Sequence, residues 1–287
     1  MDLKNYLAFL AVADLSSFSR AAEFLYITQP AVSKRIALLE QDLGALLFDR
    51  IGHKVILNEA GKALYPVAQR IKQNFNESYQ VINDLSGETS GHLSLVTSHH
   101  IGLRRLPKTL KQYALQHPKV QFDIAFMDSE DACAEIEKGN YELGVTTLPL
   151  KPSKKLKLIP LWDDSLVIAI APTHKLAGRK DLTLDELARY SAILPAIGTY
   201  TRTIIEEPII RKQGALKVVL ETNYLETIRM MVSIGLGWSA LPRAMMAEDV
   251  IEVPIDGLEI HRELGVIIHE ERTLSQAAKA LLTLLEA

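Results

Sequence analysis

Three short segments of this 287-residue chain combine hydroxyl, amide and imidazole side chains where a strand-like apolar run gives way to a helical pattern. They are Thr97-Ser98-His99-His100, Gly198-Thr199-Tyr200-Thr201 and Thr222-Asn223, and the pair Thr146-Thr147 ends a further apolar run. A helix N-terminus offers unpaired N–H groups and the positive end of the helix dipole. Converging junctions of this kind would bind a carboxylate or an inorganic oxyanion. For any one junction taken alone, helix capping by Ser, Thr or Asn is the simpler explanation.

The other reactive side chains are weak candidates for a functional site. His99 and His100 suggest a metal site, but zinc needs three or four converging ligands and no further His, Cys or Asp cluster has suitable spacing. Cys133 is the single cysteine, which excludes an internal disulfide, and its acidic neighbours disfavour the reactive thiolate. We therefore expect neither a metal nor a thiol switch. The chain also lacks a P-loop, a GxGxxG fingerprint and a Gly-x-Ser-x-Gly elbow, which argues against an enzyme.

The N-terminal 60 residues contain two helical patterns separated by a short break. Apolar residues repeat at helical spacing over 18–25 and again over 32–43, on either side of residues 26–28. Thr28 is a suitable N-cap for the second helix, and Pro30 falls in its first turn, where the missing N–H costs little. The other side of this helix is made of small, polar or basic residues, with a second basic residue beside it: Gln29, Pro30, Ser33, Lys34 and Arg35.

This composition suits a helix that lies in the major groove of DNA. Gln29 and Ser33 could meet base edges, whereas Lys34 and Arg35 could reach phosphates. Residues 1–60 contain six Lys or Arg and seven Asp or Glu, a net charge of −1. DNA binding is thus predicted from the placement of the basic residues and not from bulk charge. One copy should bind weakly, and a dimer would double the number of phosphate contacts.

A second basic group follows the helical patterns. Arg50, His53 and Lys54 bracket Gly52, between two apolar runs. This arrangement predicts a β-hairpin wing that follows the DNA backbone or enters the minor groove. The alternative for the whole N-terminal segment is a small helical domain that contacts another protein.

The run from Ser17 to Gly61 resembles the winged helix-turn-helix of the LysR-type transcriptional regulators. The resemblance rests on residues in the order and spacing of that family: Ser17-Phe18, Ala21-Ala22, Leu25, Thr28-Gln29-Pro30-Ala31-Val32-Ser33, Leu39-Glu40, Leu43-Gly44, Leu47-Phe48-Asp49-Arg50 and Asn58-Glu59-Ala60-Gly61. It implies a transcription factor that binds double-stranded operator DNA and that is not an enzyme. RNA polymerase is a further candidate partner.

A long helical pattern follows Gly61. Its apolar positions alternate at spacings of four and three, with one polar break: Leu64, Ala68, Ile71, Phe75, Ser78, Ile82 and Leu85. Such a seam favours a coiled coil, although an amphipathic helix on the core of its own domain would look similar. The family resemblance implies a linker helix that pairs with its twin, giving a homodimer or a homotetramer built as a dimer of dimers. Residues 86–91 then form a polar hinge.

The remaining two-thirds of the chain alternate between strand and helix patterns. Strands are predicted at 93–97, 120–126, 143–147, 166–171, 191–194 and 218–221, and helices at 102–116, 130–138, 201–213, 224–235 and 274–285. This alternation predicts open α/β sheets. The LysR resemblance implies a two-lobed fold similar to a periplasmic binding protein, with crossovers near 160–164 and 264–268 and a ligand cleft between the lobes.

The predicted organisation therefore has three parts. They are a winged helix-turn-helix at 1–60, a linker helix and hinge at 61–90, and an α/β effector-binding domain at 91–287, with lobe I at about 91–161 and 267–287 and lobe II at about 162–266. The resemblance implies that the polar junctions listed first bind a small effector, a carboxylate or an inorganic oxyanion, with no resident cofactor.

Bulk properties set the remaining limits. The chain is 48% hydrophobic with a net charge of −3, and no apolar run reaches the roughly 18 residues of a membrane span. The N-terminus has no signal-peptide layout, so we expect a cytoplasmic protein. A transport-type binding protein is the alternative suggested by residues 91–287 alone. The missing signal peptide and the N-terminal head argue against it.

Overall fold

The computed structural model describes residues 2–51, 54–84, 89–213 and 216–287. The chain forms two compact units, one built mainly from residues 1–88 and the other from residues 89–137 and 141–287. Within the described residues, no helix is long and apolar enough to cross a membrane.

The helices are α1 (Leu3–Leu15), α2 (Phe18–Phe24), α3 (Gln29–Leu43), α4 (Glu59–Asp84), α5 (His99–Arg104), α6 (Leu106–Gln116), α7 (Ser129–Glu137), α8 (Leu184–Ala188), α9 (Tyr200–Gln213), α10 (Leu225–Ser233) and α11 (Gln276–Glu286). The strands are β1 (Phe48–Ile51), β2 (Lys54–Leu57), β3 (Gly91–Thr97), β4 (Val120–Phe126), β5 (Leu143–Thr147), β6 (Leu156–Ile170), β7 (Ala192–Leu194), β8 (Val218–Glu221), β9 (Ser239–Pro242), β10 (Ile251–Glu252) and β11 (Ile260–His269).

The N-terminal unit is a three-helix core with a β-hairpin. The predicted stripe of α3 is buried at Val32, Ile36 and Leu39, where it packs against α1 and α2. The sequence patterns did not predict α1, which supplies Phe9 to the centre of this core and stacks it against Phe48 of the hairpin. Strands β1 and β2 are antiparallel, as expected for the wing.

The long helix α4 begins as predicted and then packs on its own unit. Asn58 precedes it, and the N–H of Gly61 donates to Asn58 Oδ1 at 2.9 Å. Ala68 is fully buried in the head core, and Leu64 and Ile71 pack beside it. The first half of the predicted heptad seam therefore belongs to this core. Leu85, at the end of the seam, lies outside the described residues.

The C-terminal unit contains a mixed seven-stranded sheet. The strand order is β10-β6-β11-β5-β3-β4, and β9 pairs with β6. Strands β3, β4 and β5 are parallel, whereas β11 runs antiparallel to both β5 and β6. A second, two-stranded parallel sheet joins β7 to β8. The prediction missed β9, β10, β11 and residues 156–165 of β6.

Strands β6 and β11 connect the two lobes, because each contributes to two hydrophobic cores. Trp162 and Leu264 pack in the core of lobe I, whereas Leu166 and Ile260 pack in the core of lobe II. The strands pair with each other throughout, with a register shift between Leu264 and Gly265. A Cβ at Gly265 would lie 2.3 Å from Ile159 O, so only glycine allows this close approach. On β11 the change of lobe precedes the predicted crossover at 264–268.

Candidate DNA-reading face and effector cleft

The outer face of α3 presents the predicted base-reading residues. Gln29, Pro30 and Lys34 are exposed, and Ser33 and Arg35 are half-buried. Gln29 Nε2 donates a hydrogen bond to Ser33 Oγ at 2.9 Å. The two polar groups therefore form a pair one helical turn apart, on a surface that can approach base edges.

The start of α3 and the wing complete this face. Thr28 is the N-cap, as predicted, but its side chain makes no capping bond within the described residues, and Pro30 lies in the first turn. The backbone of Arg50 pairs with Val55 in the hairpin. His53 and the side chains of Arg50 and Lys54 lie outside the described residues. Their phosphate-binding role stays a prediction.

A small cavity of about 50 Å³ lies between the two lobes of the C-terminal unit. Seven of the predicted effector residues line it: Ser98, His99, His100, Thr147, Thr199, Thr201 and Asn223. They come from three strand-to-helix junctions and the end of β5. The carboxyl ends of the parallel strands β3 and β5 lie at one edge of the large sheet, and those of β7 and β8 lie at one edge of the small sheet. The residues that follow these strands line the same cavity.

Four predicted residues are placed elsewhere. Thr97 is buried and its hydroxyl donates to Val145 O at 2.8 Å, which ties β3 to β5. Thr146 is buried beside Cys133. Gly198 is exposed with φ +95°, at the turn before α9. Tyr200 packs against the core cluster that contains Cys133. None of these four side chains is among the cavity-lining residues of the described chain.

The cavity also has lining residues that the sequence patterns missed: Asp128, Ser129, Glu130, Pro195, Leu225 and Arg262. The first three follow β4 at a fourth strand-to-helix junction, so the same rule could have found them. Ser129 Oγ accepts a hydrogen bond from the N–H of Thr147 at 3.2 Å. Arg262 lies on a crossover strand, where no local signal marks it.

Two carboxylates of lobe I hold polar groups of lobe II. Asn223 Nδ2 donates to Asp128 Oδ2 at 2.5 Å, while Asn223 Oδ1 accepts from the N–H of Ala196 at 2.8 Å. The N–H of Tyr200, the first residue of α9, donates to Glu130. Burial raises the pKa of Glu130, because a low-dielectric surrounding disfavours the charged form. Protein groups therefore already satisfy two of the predicted effector-binding positions.

Arg262 lies on crossover strand β11 and bonds there to β6 and α9. Its side chain is 4% exposed, and Nε donates to Asp164 Oδ2 at 2.9 Å. Its Nη1 donates to Thr201 Oγ1, in the first turn of α9, at 3.0 Å. Arg105 contacts the other oxygen of Asp164 at 3.3 Å. The guanidinium charge is thus balanced by a buried carboxylate while one edge faces the cavity.

His100 and His99 differ in how they border the cavity. Burial, together with the nearby Arg262 guanidinium, lowers the pKa of His100 to about 4. Its ring is therefore neutral at pH 7, and its 3.8 Å approach to Glu226 is not an ion pair there. His99 stacks edge-on against Tyr224 of lobe II, with ring centroids 4.8 Å apart.

Metal and thiol chemistry find no support in the described chain. No group of three or more His, Cys, Asp or Glu side chains there could hold a metal ion. Burial raises the pKa of the Cys133 thiol to about 11, so the thiol is protonated at neutral pH and a poor nucleophile.

Both units match families of known proteins. Residues 3–62 match the bacterial regulatory helix-turn-helix protein, lysR family, and residues 86–287 match the LysR substrate binding domain. The chain belongs to the LysR family of transcriptional regulators. It is therefore a DNA-binding regulator with an effector-binding domain, and its family consists of regulators and not of enzymes. The resemblance seen in Ser17 to Gly61 is confirmed.

Individual relatives agree in length and in fold. YbhD of Escherichia coli strain K12, an uncharacterized HTH-type transcriptional regulator, is 30% identical over 288 residues, covering 99% of this chain and 90% of YbhD. Full-length CbnR, solved in complex with its target DNA, has a TM-score of 0.70 at 18% identity and 99% coverage of both chains. The effector binding domain of QuiR, solved with shikimate, has a TM-score of 0.62 at 17% identity, covering 69% of this chain and 96% of QuiR. The predicted fold class is confirmed.

Proposed function

We propose that α3 enters the major groove of operator DNA and that Gln29 and Ser33 read base edges there. The observation that carries this proposal is their hydrogen-bonded pairing on an exposed face. Lys34 and Arg35, with Arg50, His53 and Lys54 of the wing, neutralise phosphates. The CbnR complex supports this role, because its full-length fold is similar and it was solved on target DNA.

The regulator acts as a homodimer or as a homotetramer. The N-terminal unit has a net charge of −1 over residues 1–60, so a single head gains little from counterion release. Two or more heads on adjacent half-sites supply the phosphate contacts that one head lacks. Phe75 of α4, a position of the predicted seam that is 43% exposed, is the described residue that we assign to the pairing surface.

A small anionic effector binds between the lobes and modulates this activity. The cavity lining includes the Ser98 hydroxyl and the Arg262 guanidinium, which can donate hydrogen bonds to an anionic group. It also presents the carboxylates of Asp128 and Glu130, which repel a simple anion but accept hydrogen bonds. A carboxylate that also carries hydroxyl or amino donors fits this mixed lining better than an inorganic oxyanion does.

The size of the cavity defines how the effector acts. A volume of about 50 Å³ is far below the several hundred Å³ typical of ligand pockets. An effector must therefore separate the lobes and replace the bonds of Asp128 and Glu130 with its own. The two lobe arrangements then differ in ligand affinity, which is the requirement for a population shift.

Two experiments test this function. Selection from a randomised duplex pool by the full chain should yield one enriched motif, and failure to enrich any motif would refute the DNA-reading role. A thermal-shift screen of the full chain against carboxylates, hydroxy acids, amino acids and sulfur oxyanions should give a stabilising hit through linkage. A chain without residues 1–88 should still be stabilised by the same compound and should not bind DNA.

A further inference from the structure

The turn between α2 and α3 holds a residue that the fold itself does not require. Tyr26 has φ +53°, the left-handed region that favours glycine. Two backbone bonds close the end of α2, from Ile27 N to Ala22 O at 3.0 Å and from Tyr26 N to Glu23 O at 3.1 Å. This closure uses main-chain atoms only, and glycine would supply it without strain.

The Tyr26 side chain makes no stabilising contact that is described within the N-terminal unit. It is 96% exposed, and its hydroxyl makes no hydrogen bond within the described part of the chain. Neither packing nor bonding inside the unit therefore offsets the left-handed backbone. A strained and exposed residue that the fold does not use points to a contact outside the fold.

The position of Tyr26 indicates what it contacts. It lies two residues before Thr28, the N-cap of α3, and three before the exposed Gln29. A recognition helix that lies in the major groove places the residues just before its N-terminus near the sugar–phosphate backbone at the groove edge. Tyrosine hydroxyls are among the groups that bind phosphate oxygens.

We propose that Tyr26 is a positioning residue whose hydroxyl donates a hydrogen bond to a DNA phosphate and so fixes the register of α3 in the groove. This proposal rests on the proposed role of α3 as the DNA-reading helix. The contact is uncharged and releases no counterion, so it adds affinity without adding to the salt dependence of binding. Lys34 is charged, so it adds both to the affinity and to the salt dependence of binding.

The test uses the full-length chain with Tyr26→Phe and Tyr26→Gly. Binding is measured by fluorescence anisotropy on a duplex selected by the wild-type chain and on an unrelated duplex, over a series of salt concentrations. Both variants should bind both duplexes about tenfold more weakly, with the wild-type slope of log affinity against log salt. Tyr26→Gly should melt at the wild-type temperature or above, because it relieves the left-handed strain.

Two further variants provide the controls. Leu115→Ala removes a side chain that is 76% exposed in the C-terminal unit, and it should bind as wild type does. Lys34→Ala should reduce the salt slope. Wild-type affinity in Tyr26→Phe would overturn the proposal, as would a loss confined to the selected duplex. Failure of the wild-type chain to select any duplex would overturn the α3 proposal as well, whereas normal wild-type binding with unaffected Tyr26 variants overturns this one alone.

Discussion

The DNA-reading face and the effector cleft differ in how the fold uses their polar side chains. On α3, Gln29 and Ser33 bond to each other on an exposed surface. In the cleft, Asn223 and Glu130 take part in bonds that join the two lobes, and Arg262 bonds to Asp164 and Thr201 at the crossover. The first site can accept a partner without rearrangement. The second can accept a ligand only by exchanging internal bonds for new ones.

This difference explains why one site is suited to recognition and the other to control. A preformed face gains affinity because little has to be ordered or broken when DNA arrives. A cleft held by its own hydrogen bonds gains little net free energy from a ligand, because bonds are lost as others form. A small net gain is enough to shift two lobe arrangements of similar free energy.

The strongest test of the comparison is the removal of a buried, bonded residue of the cleft, Arg262. Arg262→Met leaves the 5%-exposed Asp164 with only the more distant Arg105, and a buried unpaired charge is costly. The free energy of unfolding should fall by about 3–5 kcal/mol. Arg104→Met, at a 48%-exposed ion pair with Glu226, is the matched control and should change it by no more than about 1 kcal/mol. Equal, small losses in denaturant unfolding would show that the cleft bonds do not stabilise the unit.

A substitution on the DNA-reading face should weaken DNA binding and leave the free energy of unfolding nearly unchanged. Ser33→Ala should weaken binding to the selected duplex by about 1–3 kcal/mol while binding to random DNA changes little. Because the Ser33 hydroxyl bonds to Gln29 on the surface, the free energy of unfolding should stay within about 0.5 kcal/mol of wild type. Parallel anisotropy and unfolding measurements separate the two effects. Equal weakening on both duplexes would show that Ser33 contacts the DNA backbone and does not read a base.

The burial of His100 in the cleft can be tested through the pH dependence of stability. The pKa of His100 is about 4 in the folded chain, and an unfolded histidine titrates near 6.5. Between these values the unfolded chain binds the extra proton, so stability falls as the pH falls. Relative to His100→Gln, wild type should lose about 2 kcal/mol more between pH 7 and pH 4.5. Identical pH profiles of unfolding would show that His100 is not buried as described.

The smallest effect concerns Glu130. Its pKa is raised by burial, so its charged form opposes folding above the ordinary carboxyl pKa, while its bond to the N–H of Tyr200 favours the closed lobes. Glu130→Gln keeps an acceptor and removes the charge, so it should melt no lower than wild type at pH 7. Glu130→Ala loses the bond and should cost about 1 kcal/mol. If the Gln variant melts as low as the Ala variant, the charge itself is what holds the lobes.

Local sequence patterns predicted the N-terminal unit well, because its elements are defined by short-range spacing and capping. The buried stripe of α3, the cap at Asn58 and the hairpin were all expected and are present. Helix α1 was missed because it is apolar on most of its surface and shows little periodicity.

The cleft was predicted only in part because its geometry depends on pairing between distant strands. The rule of strand-to-helix junctions found most of the polar lining, yet it also selected Thr97, whose hydroxyl bonds to β5. Arg262 and Asp164 face each other because β11 pairs with β6, with Arg262 opposite Asp164 in register. A residue on a crossover strand carries no local mark of such a partner, so sequence spacing could not indicate it.

The shared strands also determine how the C-terminal unit comes apart. Ile260 and Leu264 lie on one strand yet serve different cores, so neither lobe keeps a complete core when the other is lost. The unit should therefore melt in a single cooperative transition, and an effector should move that transition as a whole. A protease would then encounter this unit either entirely protected or entirely open, so a stabilising effector should also slow its proteolysis.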